Sequence, residues 1–285
     1  MSSIKKNINI SVSNLYILMG RNFFNKFDKV LSDVWRSYDR KDYENWLSKI
    51  KEEGIIPSTL SPEQQLAELQ KKYNIDVLSD VKKCQKASNA VDMTQNQKEI
   101  LTNISKQIHT DEREKIQKLV TDATNTRYGT YQEGDAIKAF EEQTKCVVSG
   151  GQLRFKYSLG VLNDVEWFII GKIDGKTDSD EIVEIKNRTK KLFGQLRSYE
   201  EPQIMTYMFL ANVKSGYLVE NLKNNSGCNL GIISVKYKKN YFEKNILPSI
   251  IRFQYFFNNF MKDDDMKRYL LSGKEDILYK TFMSN

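Results

Sequence analysis

The stretch Phe168-Ile-Ile-Gly-Lys-Ile-Asp174-Gly-Lys-Thr-Asp-Ser-Asp-Glu-Ile-Val-Glu184-Ile-Lys186-Asn-Arg188 decides how the chain is read. Phe168 to Ile173 is apolar and β-branched, Gly175 to Asp180 is turn chemistry, and Ile182 to Ile185 is apolar again. That pattern predicts two strands joined by a polar turn. Asp174 closes the first strand. Glu184 and Lys186 stand two apart on the second and share a face, while Val183 and Ile185 take the other. A hairpin of this kind gathers an Asp, a Glu and a Lys around one point.

Crowded carboxylates repel, which raises the pKa of at least one unless a cation lies between them. An oxygen-seeking divalent ion is the natural cation, and Mg²⁺ takes one or two protein carboxylates plus substrate phosphate and water. A lysine beside it can orient or deprotonate the attacking water, or stabilise charge on the phosphate. Together these parts can hydrolyse a phosphodiester. Asp174, Glu184 and Lys186 resemble the PD-(D/E)xK nuclease signature. Downstream, Gln203-Ile-Met-Thr-Tyr207 puts Gln and Tyr on one face of a predicted helix. It is similar to the Q-x-x-x-Y element of RecB-type and lambda-exonuclease-like enzymes. Upstream, Arg127-Tyr-Gly-Thr-Tyr-Gln-Glu133-Gly-Asp-Ala136 resembles the R-x-G-x-x-x-E-x-x-A element of the same enzymes. The segment from Ile10 to Gly20, followed by Leu31 to Trp35, is similar to the opening of YqaJ-type viral recombination exonucleases, in which a helix S-x-x-x-x-x-x-G begins the nuclease domain. Three elements in the right order are far more specific than any one.

The resemblance implies that Asp174, Glu184 and Glu133 are metal ligands, that the Ile185 carbonyl completes the set, and that Lys186 orients the water. It implies one or two Mg²⁺ ions, with Mn²⁺ able to substitute. Gln203 and Tyr207 would orient the lysine, the water or the strand. Arg127, whose fork can bind two phosphate oxygens, is a candidate for a terminal 5′-phosphate, and Arg188 could do the same. Lys190 and Lys191, with Arg197, Lys236, Lys238 and Lys239, are candidates for DNA backbone contacts that position without reading sequence. Asp178, Asp180 and Glu181 belong to the turn. The expected activity is a Mg-dependent deoxyribonuclease, a 5′-to-3′ exonuclease on double-stranded DNA ends. It would leave 3′ single strands for a single-strand annealing protein in recombination, repair or viral replication. The alternatives are a RecB-type single-strand or flap nuclease, and a nuclease-fold DNA-binding protein without catalysis. A homo-oligomer, such as a ring of subunits, is a further expectation.

Composition agrees in outline. The chain of 285 residues can bury one sizeable core or two small ones. Its net charge of +7 and pI near 9.0 favour a polyanionic partner. Cys84, Cys146 and Cys228 lack C-x-x-C spacing, which argues against zinc, disulfide and iron–sulfur frameworks and for a reduced compartment. The single histidine, His109, cannot support a multi-histidine centre and reads as a surface residue. There is no membrane-length apolar run and no signal-peptide core in the opening. The expectation is a soluble intracellular protein without a membrane partner, in host cytoplasm or nucleus if viral.

The fold class expected is α/β: a restriction-endonuclease-like core of about five mixed strands flanked by helices, with an additional N-terminal helical region. Residues 1–110 form that region, with 10–38 part of the nuclease fold and about 53–105 a helical insertion; 111–285 form the core. After a short extended entry from Ile8, helices are predicted from Ser13 as N-cap to Gly20, over Lys26 to Tyr38, and over Asp42 to Lys51. Another starts at Ser61, with Gln64 closing a capping box. Helix Gly129 to Thr144 carries Glu133. Strands follow near Leu153 to Leu162, Glu166 to Asp174 and Glu181 to Arg188. A helix from about Ser198 to Val213 carries Gln203 and Tyr207. Strands near Ser215 to Glu220 and Leu230 to Tyr237 complete the sheet. The aromatic helix Ile246 to Met261 reads as core, not as base-stacking platforms.

Overall fold

The short extended entry expected from Ile8 belongs to a strand, Lys6–Ser11, with Ile8 and Ile10 buried between polar neighbours: β1 of the computed structural model. The structure describes residues 6–21, 26–106, 110–273 and 275–284. His109 lies outside them. β1 runs parallel to β4 (Val165–Lys172), whose other neighbour is the antiparallel β3 (Arg154–Leu162). A second sheet has the order β2 (Val148–Ser149), β5 (Gly175–Thr177), β6 (Ile182–Asn187), β7 (Ser215–Asn224), β8 (Gly227–Lys236). Only β6 and β7 are parallel in it.

The fold is mixed α/β as expected, but the deciding hairpin is drawn differently. β4 and β6 lie in separate sheets. The chain leaves β4 through Ile173 and Asp174 and continues into β5, which is the part expected to begin the turn. It is β5 that pairs with β6, and only over Gly175↔Val183 and Lys176↔Ile182. Glycine is needed at 175 because a Cβ there would sit 2.3 Å from Val148 Cγ1 on β2. The true turn is shorter, with Asp180 in the left-handed region (φ +70°) and paired to Lys176 at 2.5 Å.

Helices cover both faces of the second sheet. Val183, Ile185 and Val219 pack with Ala136 and Phe140 of α8 (Glu133–Thr144). Ile182 and Leu218 instead join the main core, together with Ile204, Tyr207 and Met208 of α9 (Glu201–Ala211). Alternation along β6 therefore turns Glu184 and Lys186 toward α9. The main core also takes in α1 (Leu15–Leu18), α2 (Phe27–Tyr38), α3 (Arg40–Glu52), α10 (Leu247–Phe260), α11 (Asp264–Ser272) and α12 (Glu275–Ser284). Its aromatic centre stacks Phe27 on Phe282 at 5.0 Å and sets Phe253 edge-on to Phe27 at 6.2 Å. On α10, Phe253, Phe256, Phe257 and Phe260 are core as expected, while Tyr255 is exposed.

α4 (Pro62–Tyr73), α5 (Leu78–Gln85), α6 (Ala90–Ser105) and α7 (Thr110–Tyr131) form a bundle with its own core from Leu66 to Tyr128. The Ser61–Gln64 capping box opens it as expected, with bonds of 3.2 and 3.0 Å. Because α7 packs into this bundle, the boundary expected at 110–111 falls inside a packed unit. The helix expected from Gly129 is two helices, broken at Gln132. That residue is fully buried, and its side-chain amide donates to the Ala87 and Ser88 carbonyls, which anchors the junction by tertiary contact. The first helix is also shorter than expected. A 3₁₀ turn, Val12–Asn14, precedes α1, and the Ser13 hydroxyl bonds Ser11 rather than capping a helix. Among the described residues no helix is long and apolar enough to cross a membrane.

Candidate active site

Pairing between β5 and β6 stops at Val183, so the edge of β6 beyond it lacks a strand partner. Asp174, at the crossing between the two sheets, fills the first gap: its Oδ2 accepts the Ile185 N–H at 2.8 Å. The N–H and C=O of one strand residue leave the same edge, so the Ile185 carbonyl emerges on Asp174's side. Around the corner, on the α9 face, Lys186 Nζ donates to Glu184 Oε1 at 2.8 Å and to Gln203 Oε1 at 2.9 Å. Gln203 Nε2 returns a bond to the same Glu184 oxygen at 2.7 Å. This amide orientation is the one that satisfies both partners, since the flipped group would set N–H against ammonium.

Burial dominates the electrostatics. Glu184 is 3% exposed, and desolvation pushes its pKa up to about 7 against the opposing pull of Lys186. Its Oε2 is buried without a hydrogen-bond partner. Burial also raises Asp174, against the Ile185 bond and the charges of Lys186 and Lys172. Glu133, at the first position of α8, is raised by burial and then by the charge of Asp174. Lys186 loses by burial and gains more from Glu184 and the other acids around it, ending above its ordinary value. It is an ammonium at neutral pH.

Tyr207 lies one turn along α9 from Gln203 and is 3% exposed. Its hydroxyl accepts the Lys172 N–H at 3.4 Å, and burial pushes its pKa up to about 12. Its ring approaches β4 so closely that only glycine fits at 171, where a Cβ would lie 2.5 Å from Tyr207 Cε1.

The structure thus brings together Asp174, Glu184, Ile185, Lys186, Gln203 and Tyr207, with Glu133 near enough for the charge of Asp174 to raise it. It does not bring in two of the expected phosphate binders. Arg127 is exposed and pairs with Glu63 of α4 at 3.6 Å, on the helical bundle. Arg188 is committed to two buried glutamates: its Nη2 lies 2.7 Å from Glu200 Oε1 and 2.6 Å from Glu220 Oε1. A guanidinium so neutralised has little left for a phosphate. Lys190 and Lys191 are exposed on the connection that follows β6.

Two residues were missed by the sequence reading. Lys172 lies two before Asp174, its charge lowers both Asp174 and Glu133, and its amine bonds Gln152. The same two-residue alternation that paired Glu184 with Lys186 could have found it. Tyr16 of α1 feels the charge of Lys186 and lies 6.2 Å from Tyr199, ring to ring. No local signal marks it. Surface depressions lie elsewhere, along α10 and between α4 and α5.

A carboxylate–lysine–amide centre at the open edge of a mixed sheet is the class of site this defines. No family model matches the sequence, and no curated protein matches it. Among solved structures, the fold is similar to an alkaline exonuclease (LHK-Exo) from Laribacter hongkongensis, at 11% identity and a TM-score of 0.39 over 77% of this chain and 96% of that one. LHK-Exo in complex with dAMP gives 11% and 0.38, over 65% and 89%. SSO0001 gives 11% and 0.37, over 56% and 83%. Likeness this distant assigns no residue and no activity to the chain.

Proposed function

We propose that the chain is a Mg²⁺-dependent deoxyribonuclease that hydrolyses phosphodiesters from the ends of linear duplex DNA. The observation that carries the reading is Glu184: one oxygen is held by Lys186 and Gln203, and the other is buried with no partner. An orphaned buried acceptor costs about 1–3 kcal/mol, more when charged, and a cation beside it would remove that cost.

The donors fit magnesium. Asp174, Glu184 and the Ile185 carbonyl would hold the ion, a hard-oxygen set of the kind it prefers, and Mn²⁺ would substitute. Among the described residues no three His, Cys, Asp or Glu side chains cluster tightly enough to cage a metal unaided. Mg²⁺ does not need such a cage, since phosphate oxygens and water complete its shell. When bound, the ion supplies positive charge at the scissile phosphate. Lys186, protonated in the metal-free chain, would donate to the attacking water or to a phosphate oxygen. Gln203 fixes the direction of that amine, and Tyr207 fixes α9 against β4. Glu133 adds negative charge from α8 that favours the cation. Attack from the 5′ end, and supply of 3′ single strands to an annealing protein, rest on the sequence resemblance alone.

The test is degradation of linear duplex labelled separately at each 5′ and 3′ end, with Mg²⁺ and with chelator, beside a circular control. Shortening from one labelled end, dependent on Mg²⁺ and absent on circles, is expected. Lys186→Ala should abolish cleavage and leave DNA binding. Cleavage unchanged by that substitution would refute the assignment.

A further inference from the structure

The connection 188–200, between β6 and α9, is longer than most ordered connections, and long ones without secondary structure commonly serve binding. The middle of this one is held by one carboxylate, Glu220. Glu220 on β7 is in register with Lys186 on parallel β6, which puts both on the same face of the sheet. Glu220 is fully buried. Its Oε1 accepts Arg188 Nε at 2.7 Å, and its Oε2 accepts the Phe193 and Gly194 N–H groups at 2.8 and 2.7 Å. Gly194 is in the left-handed region (φ +66°), which lets the two successive N–H groups converge. Across the ladder on β8, Gly231 leaves the space: a Cβ there would lie 3.3 Å from Glu220 Oε2.

The Phe193 ring is then covered by two guanidiniums, Arg188 and Arg197, each 4.8 Å from its centroid. Glu200 closes the far end, accepting the Arg197 N–H at 3.2 Å. Apolar packing closes a loop more cheaply than a carboxylate taken fully out of water. What the buried carboxylate adds is one backbone path, fixed beside Lys186.

We propose that Glu220 is a positioning residue that locks 188–200 in one path, so that Lys190 and Lys191 form a rigid cationic rim beside Lys186 for the sugar–phosphate backbone of a nucleic acid. This rests on the nuclease reading above and names the part of that site which grips its polymer. Backbone contacts of this kind place the strand without reading its bases.

The experiment uses the full chain as wild type, Glu220→Gln and the surface double variant Lys190→Ala/Lys191→Ala. Glutamine has the shape of glutamate, but its NH₂ must face either the guanidinium or the two backbone N–H groups, donor against donor. Trypsin reads the lock, because Arg188, Lys190, Lys191 and Arg197 are all on the connection. Binding of a short end-labelled duplex in chelator, over about 50 to 200 mM salt, reads the rim. Glu220→Gln is expected to be cut at the connection much faster than wild type. With Mg²⁺ its defect should fall on KM, raised about tenfold, more than on kcat. The lysine variant should flatten the slope of log K against log salt by about 1 to 2.

Glu220→Gln as resistant to trypsin as wild type overturns the lock. A cut connection with unchanged DNA affinity overturns the rim. Should Glu220→Gln fail to fold, the lysine variant decides by itself, and an unchanged slope overturns the proposal. A wild-type chain that neither binds nor cleaves DNA takes the nuclease reading down as well. Wild-type cleavage with both variants unaltered refutes the rim alone.

Discussion

Glu184 offers the most direct test of the site. Its carboxyl is displaced from the ordinary value of 4.5 to about 7, with burial the first cause. Each pH unit of such a displacement is worth about 1.4 kcal/mol, so the folded state is penalised by about 3 kcal/mol once the group is ionised. The sign follows from a folded pKa above the unfolded one. The penalty is absent below about pH 4.5, grows as pH rises, and is complete above about pH 7. Glu184→Gln removes the titration and keeps a side chain of the same shape. Thermal unfolding of the metal-free protein, compared between wild type and variant from pH 4.5 to 8, should diverge progressively. A chain of this size moves by roughly 2–4 °C per kcal/mol, so the difference in Tm between the two proteins should approach roughly 6–12 °C at pH 8. Adding Mg²⁺ at pH 8 should raise the wild-type Tm and recover much of it, and should do little to the variant. Parallel curves for the two proteins would refute the claim that Glu184 is held ionised against its environment. An equal Mg²⁺ response in both would remove Glu184 from the metal site.

Substitutions at three other positions probe the frame of the site. Gly171→Ala would set a methyl 2.5 Å from Tyr207 Cε1 and 2.7 Å from Val12 Cγ2; it should cost about 1–3 kcal/mol in urea unfolding, and a wild-type midpoint would deny the close approach. Asp174→Asn keeps an acceptor for the Ile185 N–H and should change stability by less than about 1 kcal/mol while abolishing Mg²⁺-dependent cleavage. Asp174→Ala should cost about 1–3 kcal/mol as well, and equal stability of the two would show that the bond to Ile185 does not matter. Arg188→Ala leaves Glu200 and Glu220 buried without their cation and should lose about 3–5 kcal/mol; a variant of wild-type stability with weakened DNA binding would restore Arg188 to phosphate recognition.

What was legible in the sequence was local. Alternation put Glu184 and Lys186 on one face, and the i, i+4 spacing put Gln203 and Tyr207 on another, so their meeting needed only that α9 fold back over β6. The Ser61 capping box was legible for the same reason: its bonds span three residues. Pairing was not legible. Nothing in Ile182 to Ile185 says that its partner is the short Gly175–Thr177 and not Phe168 to Ile173, because both readings satisfy the same apolar pattern. The role of Asp174 as cap of an open strand edge was hidden with it. The break at Gln132 depends on carbonyls at Ala87 and Ser88, far away in the chain. Arg188 looked like a free cation because Glu220, its partner, is brought alongside only by the parallel register of β6 and β7. β1 was within reach, since Ile8 and Ile10 alternate with polar neighbours over a short span.

A buried ion pair closed by an amide can exist for structural reasons alone, as a network that fixes the register of β6 under α9. The surrounding geometry favours chemistry over that account. A polar network that serves stability is worth most when it is fully satisfied, because each open acceptor in a low-dielectric interior costs more than a single bond returns. Here the most buried acid of the cluster keeps one oxygen without a partner, while Lys186 and Gln203 crowd onto the other. Two further acids, Asp174 and Glu133, are also held above their ordinary values. The ammoniums of Lys186 and Lys172 offset part of this charge, and a further cation is what the remainder calls for. Had β5 paired with β6 through Lys186, the ladder would have consumed the Ile185 N–H and carbonyl and closed this edge. The early end of β5 leaves it open, with carboxylates on either side of the gap.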